Sequence, residues 1–231
     1  MVSSTIRAPI LAVFSGSSRV GSVNTKLANV AARMAGGLGA EVHHVNLAAY
    51  KLPLYSQDLE SSASGDVEFP QAALDLKEDL AKADGWIVAS PEYNGFPTPL
   101  LLNAMTWASR GDPPGEMYQT FAAKSAIVVS ASPGAMGGMR AINPTRQLLT
   151  NLGVNVLPNS VAIGGAFKAF GDTENGKDDL LDPKLGGLLS NAVSNLYYLT
   201  RDTANRDATC EIIRQHAKTV GEYGSVSVAE A

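Results

Sequence analysis

The sequence predicts a three-layer α/β sandwich, with a five-stranded parallel sheet of order 2-1-3-4-5 and helices on both faces. Three observations lead there. Five β-rich runs alternate with helix-like segments, the pattern of parallel strands joined by crossover helices. The most unusual stretches, SGSSRVGSVN, PEYNGFP and SPGAMGG, follow the first, third and fourth runs. The 231 residues are 45% hydrophobic and 17% charged, enough to bury a real core and unlike a disordered chain.

Residues 9–14 (PILAVF) form the first strand. Residues 22–38 follow as a helix, with Leu27, Val30, Ala31, Met34 and Leu38 at three- and four-residue spacing, until Gly36, Gly37 and Gly39 stop it. Residues 41–47 (EVHHVNL) are the second strand, and 48–69 a polar connection containing Pro and Ser. A helix over 70–83 opens on Pro70. Residues 85–90 (GWIVAS) are the third strand and 98–109 the third helix. Residues 124–131 (KSAIVVSA) are the fourth strand, 138–152 the fourth helix, closed by Gly153, and 154–163 contain the fifth strand. A fifth helix is expected over 178–199 and a polar tail helix around 208–220. With no repeat and no interdomain linker, 1–231 read as one domain carrying a C-terminal extension over 201–231. Count and connection lengths fit a flavodoxin-like sheet. Such sheets bind ligands beyond the carboxyl ends of their strands, at the switch point between strands 1 and 3. The site is therefore expected on residues 15–24, 91–97 and 132–138.

Several classes fall away first. A net charge of −4 provides no general basic field for nucleic acid. One cysteine, Cys210, excludes a disulfide framework and a multi-thiolate metal site, and His43, His44 and His216 have no zinc-site spacing. Cys210 reads as a bystander, and His43 and His44 as strand residues, one facing in and one out. The apolar run 8–14 lacks a cleavage pattern and reads as a buried strand, not a signal peptide. No apolar run reaches membrane-spanning length, so a soluble, cytoplasmic protein is expected. Asp172, Glu174, Asn175, Gly176 and Asp178 hint at a calcium loop, but the glycine is one place early and Pro183 stands where the bidentate acid belongs. No G-x-S-x-G elbow occurs.

The first loop, GSSRVGSVN, suits a phosphate. A helix N-terminus exposes unpaired N–H groups and partial positive charge. Ser17 and Ser22 offer hydroxyls, Asn24 an amide, and Arg19 a planar donor fork. Ser22 stands where a Walker lysine belongs, which argues against a nucleoside triphosphate, and the G-x-G-x-x-G pattern of dinucleotide sites fails at Ser18. A single terminal phosphate remains. In the second loop, Pro91 fixes the exit angle, Tyr93 offers a flat face to a planar ring, and Gly95 permits a tight turn. The third, SPGAMGG, has little bulk, so its backbone can approach a ligand closely.

The stretches GSSRVGSVNTKLA, LPLYSQDLE, PEYNGFPTPLLLNAMTWASR and SASPGAMGGMRA, in that order, resemble the NADPH-dependent FMN reductase family of flavodoxin-like flavoproteins, which includes quinone, chromate and azo-dye reductases. The resemblance implies FMN as cofactor and NADPH or NADH as donor, with hydride passed through the flavin to a small acceptor: a quinone, a flavin, an azo dye or a metal oxyanion. It implies that Ser17, Arg19, Ser22, Val23 and Asn24 hold the phosphate, that Pro91, Glu92, Tyr93, Asn94 and Gly95 line the isoalloxazine, and that Ser132, Gly134, Met136, Gly137 and Gly138 close its other edge. It also implies a homodimer or homotetramer with no separate catalytic side chain, since the flavin carries the chemistry. Two departures stand out: a tail beyond about Arg201 that is longer than the family leads one to expect, and the third helix. Leu102 and Thr106 replace a usual lysine and acid, leaving the third helix apolar nearly all round, as a deep core helix or an oligomer interface would be, with the interface preferred. A non-enzymatic flavodoxin-like electron carrier is the alternative, disfavoured by the modest net charge and by Arg19. A flavin-free transferase is a second, disfavoured by the missing Walker lysine.

Overall fold

The computed structural model describes residues 6–60, 69–110, 119–172 and 178–206. Its strands β1 (Ile10–Ser15), β2 (Glu41–Val45), β3 (Gly85–Ala89), β4 (Ser125–Ala131), β5 (Asn155–Val156) and β6 (Val161–Ile163) form one parallel sheet of order β2-β1-β3-β4-β5, with β6 also on β4. Val13 pairs with His44 on one side and Ile87 on the other, and Ile87 with Ile127. That register aligns the carboxyl ends of β1, β3 and β4, from which the three unusual loops leave.

Side chains alternate across the pleat, so each strand feeds two cores. Leu11, Val13, Ile87, Ile127 and Val129 pack beneath α1 (Val23–Gly37) and α6 (Pro183–Ala204). Ala12, Phe14, Trp86, Val88 and Val128 pack beneath α2 (Gln71–Ala81), α3 (Pro99–Ala108) and α4 (Met139–Asn151). Buried Trp86 meets Phe14 edge-on at 6.0 Å and donates its indole N–H to the Leu80 carbonyl at 3.3 Å. Within α3, Leu101, Ala104, Met105, Trp107 and Ala108 are buried inside the chain, so that face is core; Leu100, Leu102 and Thr106 are half-buried.

Two expectations need correction. The fifth strand is split: β5 pairs with Ser125 and Ala126, β6 with Val129, Ser130 and Ala131. Pro158 has no N–H for the ladder, and Arg146 reaches the carbonyls of Val156 and Leu157 instead. The last helix starts at Pro183, not at 178. Asp178–Leu180 is strand β8, antiparallel to β7 (Phe170–Asp172), and Asp182 caps α6 by accepting from the Lys184 N–H at 2.8 Å. Pro183 suits the first helical position, whose N–H would be unpaired anyway. A single turn, α5 (Ala166–Ala169), precedes β7. The tail helix expected over 208–220, with Cys210 and His216, lies outside the described residues, as do Glu174, Asn175 and Gly176.

Candidate functional site

The first loop runs from β1 into α1. Ser22 is the N-cap: its Oγ accepts from the N–H groups of Asn24 (3.2 Å) and Thr25 (3.5 Å). Ser17 Oγ likewise accepts from the Arg19 N–H at 3.3 Å. Both hydroxyls therefore have a lone pair engaged by backbone and a proton free to donate. Arg19 is exposed; its guanidinium touches only the Gly21 carbonyl at 3.4 Å, and among the described residues no carboxylate pairs with it. The first turn of α1 carries no acidic residue. The loop carries the Arg19 charge and no acidic side chain.

Gly16 shows why the loop lies so close to its neighbour. A Cβ there would stand 2.9 Å from Thr98 Oγ1 and 3.3 Å from Pro91 Cδ. Thr98, the N-cap of α3, donates to the Gly16 carbonyl at 2.6 Å and accepts from the Leu101 N–H at 3.3 Å, tying the first loop to the second. Asn24 ties the first to the third: its amide donates to the Ala131 carbonyl at 2.8 Å and accepts from the Ala131 N–H at 2.9 Å. Its own N–H goes to Ser22, so Asn24 braces the site with both ends of its side chain committed.

The second loop turns at Tyr93-Asn94-Gly95-Phe96. Tyr93 and Phe96 exchange backbone bonds of 2.9 and 3.0 Å, and both Asn94 (φ 56°) and Gly95 (φ 80°) are left-handed. This is a type I′ turn, for which Asn-Gly is the favoured pair. It leaves Tyr93 50% exposed. The Glu92 carboxylate turns away toward Arg140, at the start of α4. In the third loop, Gly138 is the N-cap of α4 at φ 83°, and a Cβ there would lie 2.0 Å from Ser130 Oγ. The loop is pinned to the end of β6: Ser132 N–H donates to the Ile163 carbonyl and Ala166 N–H to the Ser132 carbonyl, both at 3.0 Å.

Between the loops lies a cleft of about 230 Å³. Ser17, Arg19, Ser22, Val23, Asn24, Pro91, Glu92, Tyr93 and Ser132 all line it. Asn94, Gly95, Gly134, Met136, Gly137 and Gly138, also expected there, are not part of its lining: the first pair forms the turn tip and the others shape the third loop beside it. Pro133, in the expected third loop though not singled out, also lines the cleft, and Ala131 and Phe167 line it from outside the expected segments. Phe167, on α5, is 70% exposed. The Gly164-Gly165 pair at the end of the fifth strand was the available signal. Of the lining residues only Arg19 and Glu92 are charged.

A larger cavity of about 510 Å³ lies on the other side of the first loop, over the ends of β1 and β2, and shares Ser17, Arg19 and Ser22. Its far wall includes Lys26, His44, Asn46 and Asp178. Size does not decide between the two. Only the smaller joins the phosphate-type loop to Tyr93 and to the third loop.

The model of the NADPH-dependent FMN reductase family matches residues 9–168, all three loops included. The chain is 34% identical over 189 residues to an NAD(P)H-dependent FMN reductase of Pseudomonas aeruginosa, covering 81% of this chain and 92% of that one. It is 33% identical over 165 residues to a quinone reductase of Pseudomonas putida, covering 71% and 82%. Among solved structures, the flavoenzyme NAD(P)H:(acceptor) oxidoreductase FerB of Paracoccus denitrificans superposes with a TM-score of 0.67 at 25% identity, over 84% of this chain and 98% of that one. The chain thus belongs to the NADPH-dependent FMN reductase family and is an FMN-dependent oxidoreductase that draws its electrons from NAD(P)H.

Proposed function

We propose that the cleft holds FMN with its phosphate on the first loop and its ring between Pro91–Tyr93 and Ser132, and that the acceptor is a quinone. The observation that carries this is Arg19: a guanidinium with no ion pair among the described residues, beside a helix N-terminus lacking acidic residues, at the cleft that Tyr93 also lines. The residues fit a dianion. Arg19 supplies fixed charge, Ser17 and Ser22 supply free O–H donors, and α1 adds its partial positive end. Charge-assisted bonds of this kind net about 1.5–3 kcal/mol each. Three would give about half or more of the ~8 kcal/mol of a micromolar complex.

When bound, FMN supplies the redox chemistry, taking hydride from the nicotinamide and passing it to the acceptor. The chain's own part is to bind, orient and leave one approach open. Tyr93 and Phe167 give the cleft an aromatic wall suited to a flat, largely apolar molecule. Phe96 and Met136 add exposed apolar surface on the neighbouring loops. With Glu92 held by Arg140, no free carboxylate or imidazole of the described residues lines the cleft. The exposed apolar side chains also suit a homodimer or homotetramer contact, which sedimentation tests. No helix of the described residues is long and apolar enough to cross a membrane, in keeping with a cytoplasmic enzyme.

The test is an anaerobic titration of FMN-loaded protein. NADPH or NADH should bleach the flavin absorbance, and 1,4-benzoquinone should restore it without a partner protein. No bleaching by either nucleotide would overturn the reading; bleaching without recovery on quinone would overturn the acceptor class.

A further inference from the structure

The three loops are tied in pairs. Thr98 joins the first to the second and Asn24 the first to the third, both through neutral hydrogen bonds to backbone. The remaining side of this triangle is ionic. Glu92 Oε2 accepts from the Arg140 backbone N–H at 3.0 Å, Oε1 accepts from Arg140 Nε at 2.7 Å, and Nη2 completes the pair. We propose that Glu92 is a positioning residue: through Arg140 it fixes the third loop against the second and so sets the width of the slot that receives the cofactor ring. This rests on the FMN reading above.

Four features support it. First, α4 has no cap of its own. Its N-cap is Gly138, which has no side chain, so the orphan N–H of Arg140 is satisfied by a carboxylate 48 residues earlier in the chain. Second, α4 is weak where it begins. Pro144 has no N–H to return to the Arg140 carbonyl, so the first turn depends more on outside partners. Third, the burial is asymmetric. The Glu92 side chain is 8% exposed and that of Arg140 67%. The buried carboxylate would be stranded without Arg140, whereas the guanidinium keeps most of its water, so the pair is held from the Glu92 side. Fourth, the tie neutralises the one acid that lines the cleft, which would otherwise repel a dianionic phosphate.

The experiment compares the full-length protein with E92Q, R140A, R140K and E92Q/R140A. Two readouts are used: amide hydrogen exchange over residues 132–140 without cofactor, and the FMN dissociation constant from quenching of flavin fluorescence. The proposal expects at least fivefold faster exchange in R140A, a five- to tenfold weaker FMN constant, partial rescue of both in R140K, and a double variant no worse than the worse single one. Unchanged exchange in R140A would overturn the tie. Faster exchange with an unchanged FMN constant would overturn the positioning role, and so would single effects that simply multiply. R19A separates this from the reading beneath it. Unchanged FMN affinity in R19A would remove the phosphate site yet leave the exchange result, measured without cofactor, standing.

Discussion

Asn24→Ala should loosen the site without touching the ring that Tyr93 presents. The wild-type amide makes two bonds to the Ala131 main chain, at 2.8 and 2.9 Å, in a setting where Asn24 is 3% and Ala131 2% exposed. Truncation leaves a buried carbonyl and a buried N–H without partners, at about 1–3 kcal/mol each. Alanine's better helix propensity returns only about 0.5 kcal/mol. With one water entering the gap, the net cost is about 3 kcal/mol, or roughly 6–12 °C in Tm for a chain of this size. Calorimetry of the cofactor-free protein reads the shift, and flavin fluorescence should show FMN bound more weakly. Asn24→Asp sharpens the test. Its second oxygen faces the Ala131 carbonyl and must carry a proton to donate, so its folded pKa lies above the unfolded value near 3.9. The bond is then present below that pH and lost as pH rises through the folded value, so Asn24→Asp should approach wild-type stability only in acid. A Tm for Asn24→Ala within 2 °C of wild type would refute the bracing role.

Other outcomes follow from the same geometry. Phe167→Ala should raise KM for benzoquinone about three- to tenfold, the worth of roughly 1 kcal/mol of lost aromatic contact, as read by steady-state kinetics on FMN-saturated protein. At the opposite end of the sheet, Asp84 accepts two bonds of 2.7 Å from Arg7 and one of 2.8 Å from the Ile10 N–H. Burial pushes this carboxyl up, but the Arg7 and Ile10 bonds outweigh it and hold the pKa below the usual value. Its contribution is complete above the unfolded pKa near 3.9 and is lost as pH falls through the folded value. Asp84→Asn should therefore cost about 2 kcal/mol at pH 7 and flatten the acid limb of the stability curve below about pH 4, as read by urea unfolding at a series of pH values.

What was legible in the sequence is what local rules govern. The strand runs are apolar, the loops are rich in glycine, and Asn94-Gly95 announces its turn, so the sheet order and the three loops that border the cleft were legible, while the individual lining residues came from the family resemblance. The start of α6 was also written locally, in Asp182 and Pro183, but the residues before them pair across a hairpin with 170–172. The remainder is long-range. Asn24 is bonded to Ala131, 107 residues on, which no local pattern shows. The tie of Glu92 to Arg140 is equally invisible in the sequence. Phe167 reaches the cleft because β6 pairs with β4 and brings Ile163 to Ser132, a registry no local pattern encodes.

The most direct test of the central claim compares FMN with riboflavin, which lacks only the phosphate. If Arg19, Ser17, Ser22 and the start of α1 anchor that group, wild-type protein should bind FMN at least about 100-fold more tightly than riboflavin, a difference of about 2.7 kcal/mol. Arg19→Ala should narrow the ratio about tenfold or more by weakening FMN alone. Equal affinities for the two flavins in the wild type, or a ratio untouched by Arg19→Ala, would contradict the account.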